Sequence, residues 1–70
     1  MERTHLDSSS LASVGYDPRS RTLEVEFRIG RVYRYFDVPP ARYRGLLDAE
    51  SAGRFLNTRI KGVYRYSAVN

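Results

Sequence analysis

Seventy residues with a mass of 8.1 kDa limit the chain to one domain, because a chain of this size buries only roughly 60% of the surface that its unfolded form exposes. A deep catalytic cleft is therefore not expected. The absence of cysteine removes thiolate nucleophiles, zinc knuckles and disulfide frameworks, and no apolar run approaches the roughly 20 residues of a membrane-spanning helix. Twelve Lys and Arg against eight Asp and Glu give a net charge of +4, beside six tyrosines and three phenylalanines. All but one of the basic residues are arginine. Such a surface attracts phosphates, acidic proteins or anionic lipid heads about equally.

The segment from Met1 to Asp7 has no apolar stretch between a basic start and a cleavage site, so it does not read as a secretory signal and the cytoplasm is the expected location. Residues 1–10 are polar and end in Asp7-Ser8-Ser9-Ser10, which predicts a flexible N-terminal arm ahead of a single domain over residues 11–70. From Leu11, the residues Ala12, Val14 and Tyr16 alternate with Ser13 and Gly15, the period of a short strand. Asp17-Pro18-Arg19-Ser20 then supplies a turn, with proline fixing φ and the Asp17 carboxylate able to bond backbone N–H groups two residues on.

Thr22 to Arg28 is the clearest strand: Leu23, Val25 and Phe27 face one way, and Glu24, Glu26 and Arg28 the other. Together with Val32 to Val38 it forms a predicted hairpin. A two-residue loop at Ile29-Gly30 would drive Arg34 onto the apolar face, at a cost of several kcal/mol for an unpaired buried charge. A three-residue loop, Ile29-Gly30-Arg31, instead sets Phe27 opposite Tyr33, Val25 opposite Tyr35 and Glu26 opposite Arg34. This second register is preferred, and it places the rings of Tyr33 and Tyr35 in the core.

Val38-Pro39-Pro40 reads as extended, with Pro40 suited to a helix's first turn. Tyr43, Leu46 and Leu47 then form one stripe of a helix over about residues 41–49. Ser51 caps a second helix, on which Ala52, Phe55, Leu56 and Ile60 line one face, and Gly62 stops it. Val63-Tyr64-Arg65-Tyr66 is a candidate for a short fourth strand. The expected fold is thus α+β, a small antiparallel sheet of three strands with this short fourth as an addition, packed against two C-terminal helices in β-β-β-α-α order. Ile29–Tyr35 and Ile60–Tyr66 share five of seven residues, but their flanks differ, so no repeat architecture follows.

Catalytic chemistry finds little to work with. The single histidine, His5, lies in the expected arm, which leaves a serine–histidine–carboxylate site or a histidine-based metal centre without its parts. Glu24 and Glu26 read as a solvated sheet face opposite Arg34. The five glycines are scattered, so no phosphate-cradling loop is present. No catalytic residue, metal or cofactor is assigned, and the chain is expected not to be an enzyme. What remains is arginine interleaved with tyrosine, a composition suited to RNA, since unpaired bases stack on tyrosine rings and guanidinium groups contact phosphates. The residues that would carry this are Arg31, Arg34, Arg54, Arg59, Lys61, Tyr64, Arg65 and Tyr66.

The order of features, Tyr16-Asp17-Pro18, Leu23-x-Val25-x-Phe27, Gly30, Tyr33-x-Tyr35, Val38-Pro39, Ser51-x-Gly53-x-Phe55-Leu56-Asn57-x-x-Ile60 and Tyr64-x-Tyr66, resembles the KTSC domain family over about residues 8–67. That family takes its name from the C-terminus of some lysyl-tRNA synthetases, occurs also as a free-standing small protein, and is marked by a central Y-x-Y, here Tyr33-Arg34-Tyr35. The resemblance implies no activity, and it suggests RNA binding only through the family's attachment to a tRNA enzyme. Two functions are therefore carried forward: a non-catalytic module binding tRNA or single-stranded RNA, and alternatively a protein-interaction or accessory domain that accepts a partner's strand at a sheet edge. A membrane partner is not expected.

Overall fold

The computed structural model describes residues 1–69 and shows five strands and two helices: β1 (Arg3–His5), β2 (Leu11–Asp17), β3 (Thr22–Phe27), β4 (Val32–Tyr35), α1 (Pro40–Asp48), α2 (Ala52–Arg59) and β5 (Tyr66–Ala68). The strands form one antiparallel sheet in chain order, β1-β2-β3-β4-β5, with the helices inserted between β4 and β5. The α+β class is as expected, but the strand count of three or four is corrected to five, in β-β-β-β-α-α-β order. One added strand lies within the segment expected to be a loose arm, where Arg3, Thr4 and His5 pair with Gly15, Val14 and Ser13. The last strand starts at Tyr66 and not at Val63, because residues 60–64 still turn at the end of α2, with Tyr64 N–H donating to the Ile60 carbonyl at 3.2 Å.

The hairpin keeps the expected faces but not the expected pairs. Leu23 lies opposite Tyr35, Glu24 opposite Arg34 and Val25 opposite Tyr33, a slip of two residues from the predicted register. Two residues is a full side-chain period, so every side chain stays on its predicted face. The loop is Arg28-Ile29-Gly30: Gly30 N–H donates to the Phe27 carbonyl at 2.9 Å, and Phe27 N–H to the Arg31 carbonyl at 2.8 Å. Gly30 occupies the third loop position at φ 97°, where a three-residue hairpin needs a left-handed residue.

A register shift between Leu11 and Ser13 marks a β-bulge in β2. It turns Leu11 onto the same face as Val14, so both join the core, while Ser13 and Gly15 face the opposite side of the sheet. The buried core consists of Leu11, Val14, Leu23, Val25 and Tyr35 from the sheet, Val38, Leu46 from α1, and Leu56 and Ile60 from and just after α2. Tyr43 packs at its margin and stacks on Tyr16 with ring centroids 5.0 Å apart, but Leu47, expected in the same stripe, is 38% exposed. Pro40 opens α1, and the Ser51 hydroxyl accepts from Arg54 N–H at 3.3 Å to cap α2.

Candidate nucleic-acid interface

The two faces of β4 separate the expected site residues. Arg34 points away from the helices, where its Nε donates to Glu24 Oε1 at 2.9 Å. The other Glu24 oxygen accepts from Arg3 Nε at 2.8 Å, and Arg3 also donates to the Ser13 hydroxyl, which itself donates to Glu26 Oε1 at 2.7 Å. Glu24 is only 6% exposed, so the reading of a solvated face is corrected for Glu24, while the Glu26 side chain keeps 39% exposure. Burial alone would raise the Glu24 carboxyl's pKa, but hydrogen bonds and charge from Arg34 and Arg3 outweigh it and hold the group below its ordinary value. Arg34, with its side chain 49% exposed, is thereby paired on the face opposite the tyrosines.

Arg65 pairs with Asp37 at 3.2 Å, with both side chains about four-fifths exposed. Tyr64 is half-buried against the core, and its hydroxyl accepts from Arg42 Nε at 3.4 Å. Neither Arg31, Arg54, Arg59 nor Lys61 makes an ion pair with any carboxylate of the described residues. These four form two groups: Arg54 and Arg59 line a shallow hollow beside α2 with Glu50, Phe55 and Thr58, and Arg31 and Lys61 line another with Phe27, Ile29 and Tyr33.

The second group adjoins a row of aromatic rings. Phe27 meets Tyr33 edge-on at 5.4 Å, Tyr33 lies 5.3 Å from Tyr66, and Tyr66 lies 5.9 Å from Tyr35. Tyr35, at 2% exposure, anchors the row in the core, whereas Tyr66 is 61% exposed on the edge strand. Burial, reinforced by the neighbouring Tyr33 and Tyr66, pushes the Tyr35 hydroxyl's pKa up, so that phenol stays neutral at physiological pH. Tyr66 also borders a hollow lined by Phe36, Val63, Tyr64 and Arg65.

Of the eight expected residues, the fold thus brings Arg31 and Lys61 together beside Tyr33, and Tyr66 together with Arg65, the two pairs being linked by the contact of the Tyr33 and Tyr66 rings. It groups Arg54 with Arg59 along α2, and it withdraws Arg34 and half-buries Tyr64. The sequence reading missed Phe27, Ile29 and Tyr33 as neighbours of Arg31 and Lys61. Reading Gly30 as the third loop residue would have set Phe27 opposite Arg31 and brought that group into view.

Comparison with known proteins agrees with this fold. The KTSC domain model matches residues 7–66. An uncharacterised protein of Stutzerimonas stutzeri is 52% identical over 67 residues, covering 94% of each chain. A lysine–tRNA ligase of Nostoc punctiforme is 34% identical over 64 residues, a match that spans 91% of this chain and 11% of the ligase. The crystal structure of a KTSC domain protein from Yersinia pestis superposes with a TM-score of 0.96 at 36% identity, covering 99% of this chain and 97% of the other. By family model, sequence relatives and fold together, the chain belongs to the KTSC domain family.

Proposed function

We propose that the chain is a non-catalytic RNA-binding module of the cytoplasm that takes tRNA or single-stranded RNA on the surface formed by the hairpin loop, α2 and the β4–β5 end of the sheet. The observation that carries this reading is the set of four cations, Arg31, Arg54, Arg59 and Lys61, that no carboxylate of the described residues neutralises. Unpaired guanidinium and ammonium groups beside aromatic rings suit phosphate contacts and base stacking. The shared domain of the Nostoc lysine–tRNA ligase adds support, since that enzyme's name places it on a tRNA substrate. Catalysis is not part of the reading: His5 is an exposed imidazole on an edge strand, and the carboxylates around Ser13 are held by guanidinium groups.

Titration of the protein with tRNA and with short single strands at rising salt tests the proposal. The logarithm of the affinity should fall linearly with the logarithm of salt concentration, with a slope of roughly −0.7 per single-strand phosphate contacted. Reversing two charges together, Arg31→Glu with Lys61→Glu, should weaken binding by about tenfold or more. No detectable binding at about 50 mM salt would remove the reading. The open edge of β5, exposed at all three residues, favours a second reading, strand addition by a protein partner. Under that reading binding would survive the charge reversal and would be blocked by Ala68→Pro, because the Val69–Val32 and Arg65–Phe36 hydrogen bonds turn the N–H groups of odd-numbered β5 residues inward and leave that of Ala68 on the open edge.

A further inference from the structure

We infer that the β4–β5 end is a single-strand site, on which an unpaired base stacks on the outer face of the Tyr66 ring and the flanking phosphates meet Arg31 and Lys61 on one side and Arg65 on the other. The inference rests on the RNA-binding reading and assigns it a subsite and a nucleic-acid form. Tyr66 is a large aromatic side chain left 61% exposed, although its inner side already contacts Tyr33 and Tyr35. Those contacts hold the ring in place, so little of its freedom remains to be lost when a base lands on it.

The two hollows beside the row are linked through the contact between the Tyr33 and Tyr66 rings. The one lined by Arg31 and Lys61 includes Tyr33, whose ring touches Tyr66; the other includes Tyr66 itself and Arg65. They are also joined along the backbone, because Lys61 lines the first while Gly62 and Val63 line the second. A strand running from one hollow to the other passes cation, ring and cation in turn. Arg65 is available for this because its partner Asp37 is as exposed as it is, and a pair so placed holds its arginine weakly. Tyr64 serves as wall and not as platform, since its ring packs on the core and its hydroxyl is engaged by Arg42. A duplex hides its base faces within the stack and offers Tyr66 nothing to cover.

The test uses the full chain with a labelled single-stranded oligoribonucleotide of about eight nucleotides, compared with the same strand in a duplex. The single strand should bind at least about tenfold tighter than the duplex, with a salt slope near about −2 for three phosphate contacts. Tyr66→Ala should weaken single-strand binding by about tenfold or more and leave duplex binding unchanged, whereas Tyr66→Phe, which keeps the π-face, should bind as the parent does. Tyr66 is exposed, so a native amide spectrum for each variant confirms that the change lies in the site. Equal binding of the two forms, an unaltered Tyr66→Ala, or loss in Tyr66→Phe as well would overturn the stacking subsite while leaving the cationic surface intact. Absence of binding by both forms would overturn the underlying RNA reading instead.

Discussion

Glu24 is the residue on which the outer face of the sheet turns. Its carboxylate lies between Arg3 and Arg34, with side-chain exposures of 28% and 49% against 7% for Glu24 itself. Hydrogen bonds between charged groups stabilise by roughly 1.5–3 kcal/mol, and removing one partner leaves the others unsatisfied. Glu24→Ala should therefore cost about 2–3 kcal/mol in urea unfolding at neutral pH. The pH dependence has a definite sign, because the carboxyl is held below its ordinary value in the folded chain. The unfolded chain takes up the proton first, so the stabilisation is complete above roughly pH 4.3 and is lost as pH falls through the folded-state pKa. Asp17, lowered by the Arg19 backbone N–H, acts in the same direction from an exposed turn. Glu24→Gln isolates the buried contribution: its stability at pH 7 should fall, and its decline between pH 4 and pH 3 should be shallower than the parent's. Parallel curves for the two proteins would contradict the role assigned to the network.

At the scale of elements, the contact between α1 and α2 depends on a missing side chain. A Cβ at Gly45 would lie 2.7 Å from Phe55 Cζ, so the ring occupies space that any other residue would claim. Alanine is favoured over glycine within a helix by about 1 kcal/mol, but overpacking costs about 1–3 kcal/mol. Gly45→Ala should thus destabilise by about 1 kcal/mol. In a Phe55→Leu background, where the collision is relieved, the same substitution should become stabilising by a few tenths to about 1 kcal/mol. A double-mutant cycle measures this reversal, and additive effects would show that the ring is not what limits the helix. The helices themselves were readable in the sequence because Pro40, Ser51, Gly62 and the apolar spacing agree with one another. The central hairpin was readable in its faces, which need only the period of two, but not in its pairing, which depends on where Gly30 sits in the loop. β1 was invisible because Arg-Thr-His carries no strand pattern; it exists through Arg3 meeting Glu24, 21 residues away. The site was partly legible for the same reason. Composition identifies arginine and tyrosine as its materials, but the pairing of Arg34 with Glu24 and of Arg65 with Asp37 is set by the fold. So is the meeting of Arg31 with Lys61 across the length of both helices.

For the whole molecule, the two edges of the sheet are finished differently. β5 is exposed at every residue. β2, by contrast, is covered along its outer edge by β1, which Arg3 ties to Glu24 and Glu26 and which Arg28 secures through the Leu6 and Ser8 carbonyls. Leu6 also packs against the core. A chain of this size has a total stability of roughly 4–10 kcal/mol at the usual per-residue values, so even a three-residue strand carries a substantial share. Deleting residues 1–6 removes the Arg3 ion pairs and the Leu6 contact, and should cost about 2–4 kcal/mol. It also uncovers β2, a seven-residue strand whose free N–H and C=O groups then form a template for pairing with another chain. The truncated protein should unfold at a markedly lower urea concentration and associate as its concentration rises, as read by sedimentation velocity. Arg3→Ala, which keeps the strand backbone, should lose only about 1–2 kcal/mol and associate no more than the parent does. Because Arg31, Lys61 and Tyr66 lie outside β1 and β2, the RNA affinity proposed above, per folded molecule, should be the same in all three proteins. An unchanged urea midpoint in the truncated chain would place β1 outside the cooperative unit and return the first residues to the status of a loose arm.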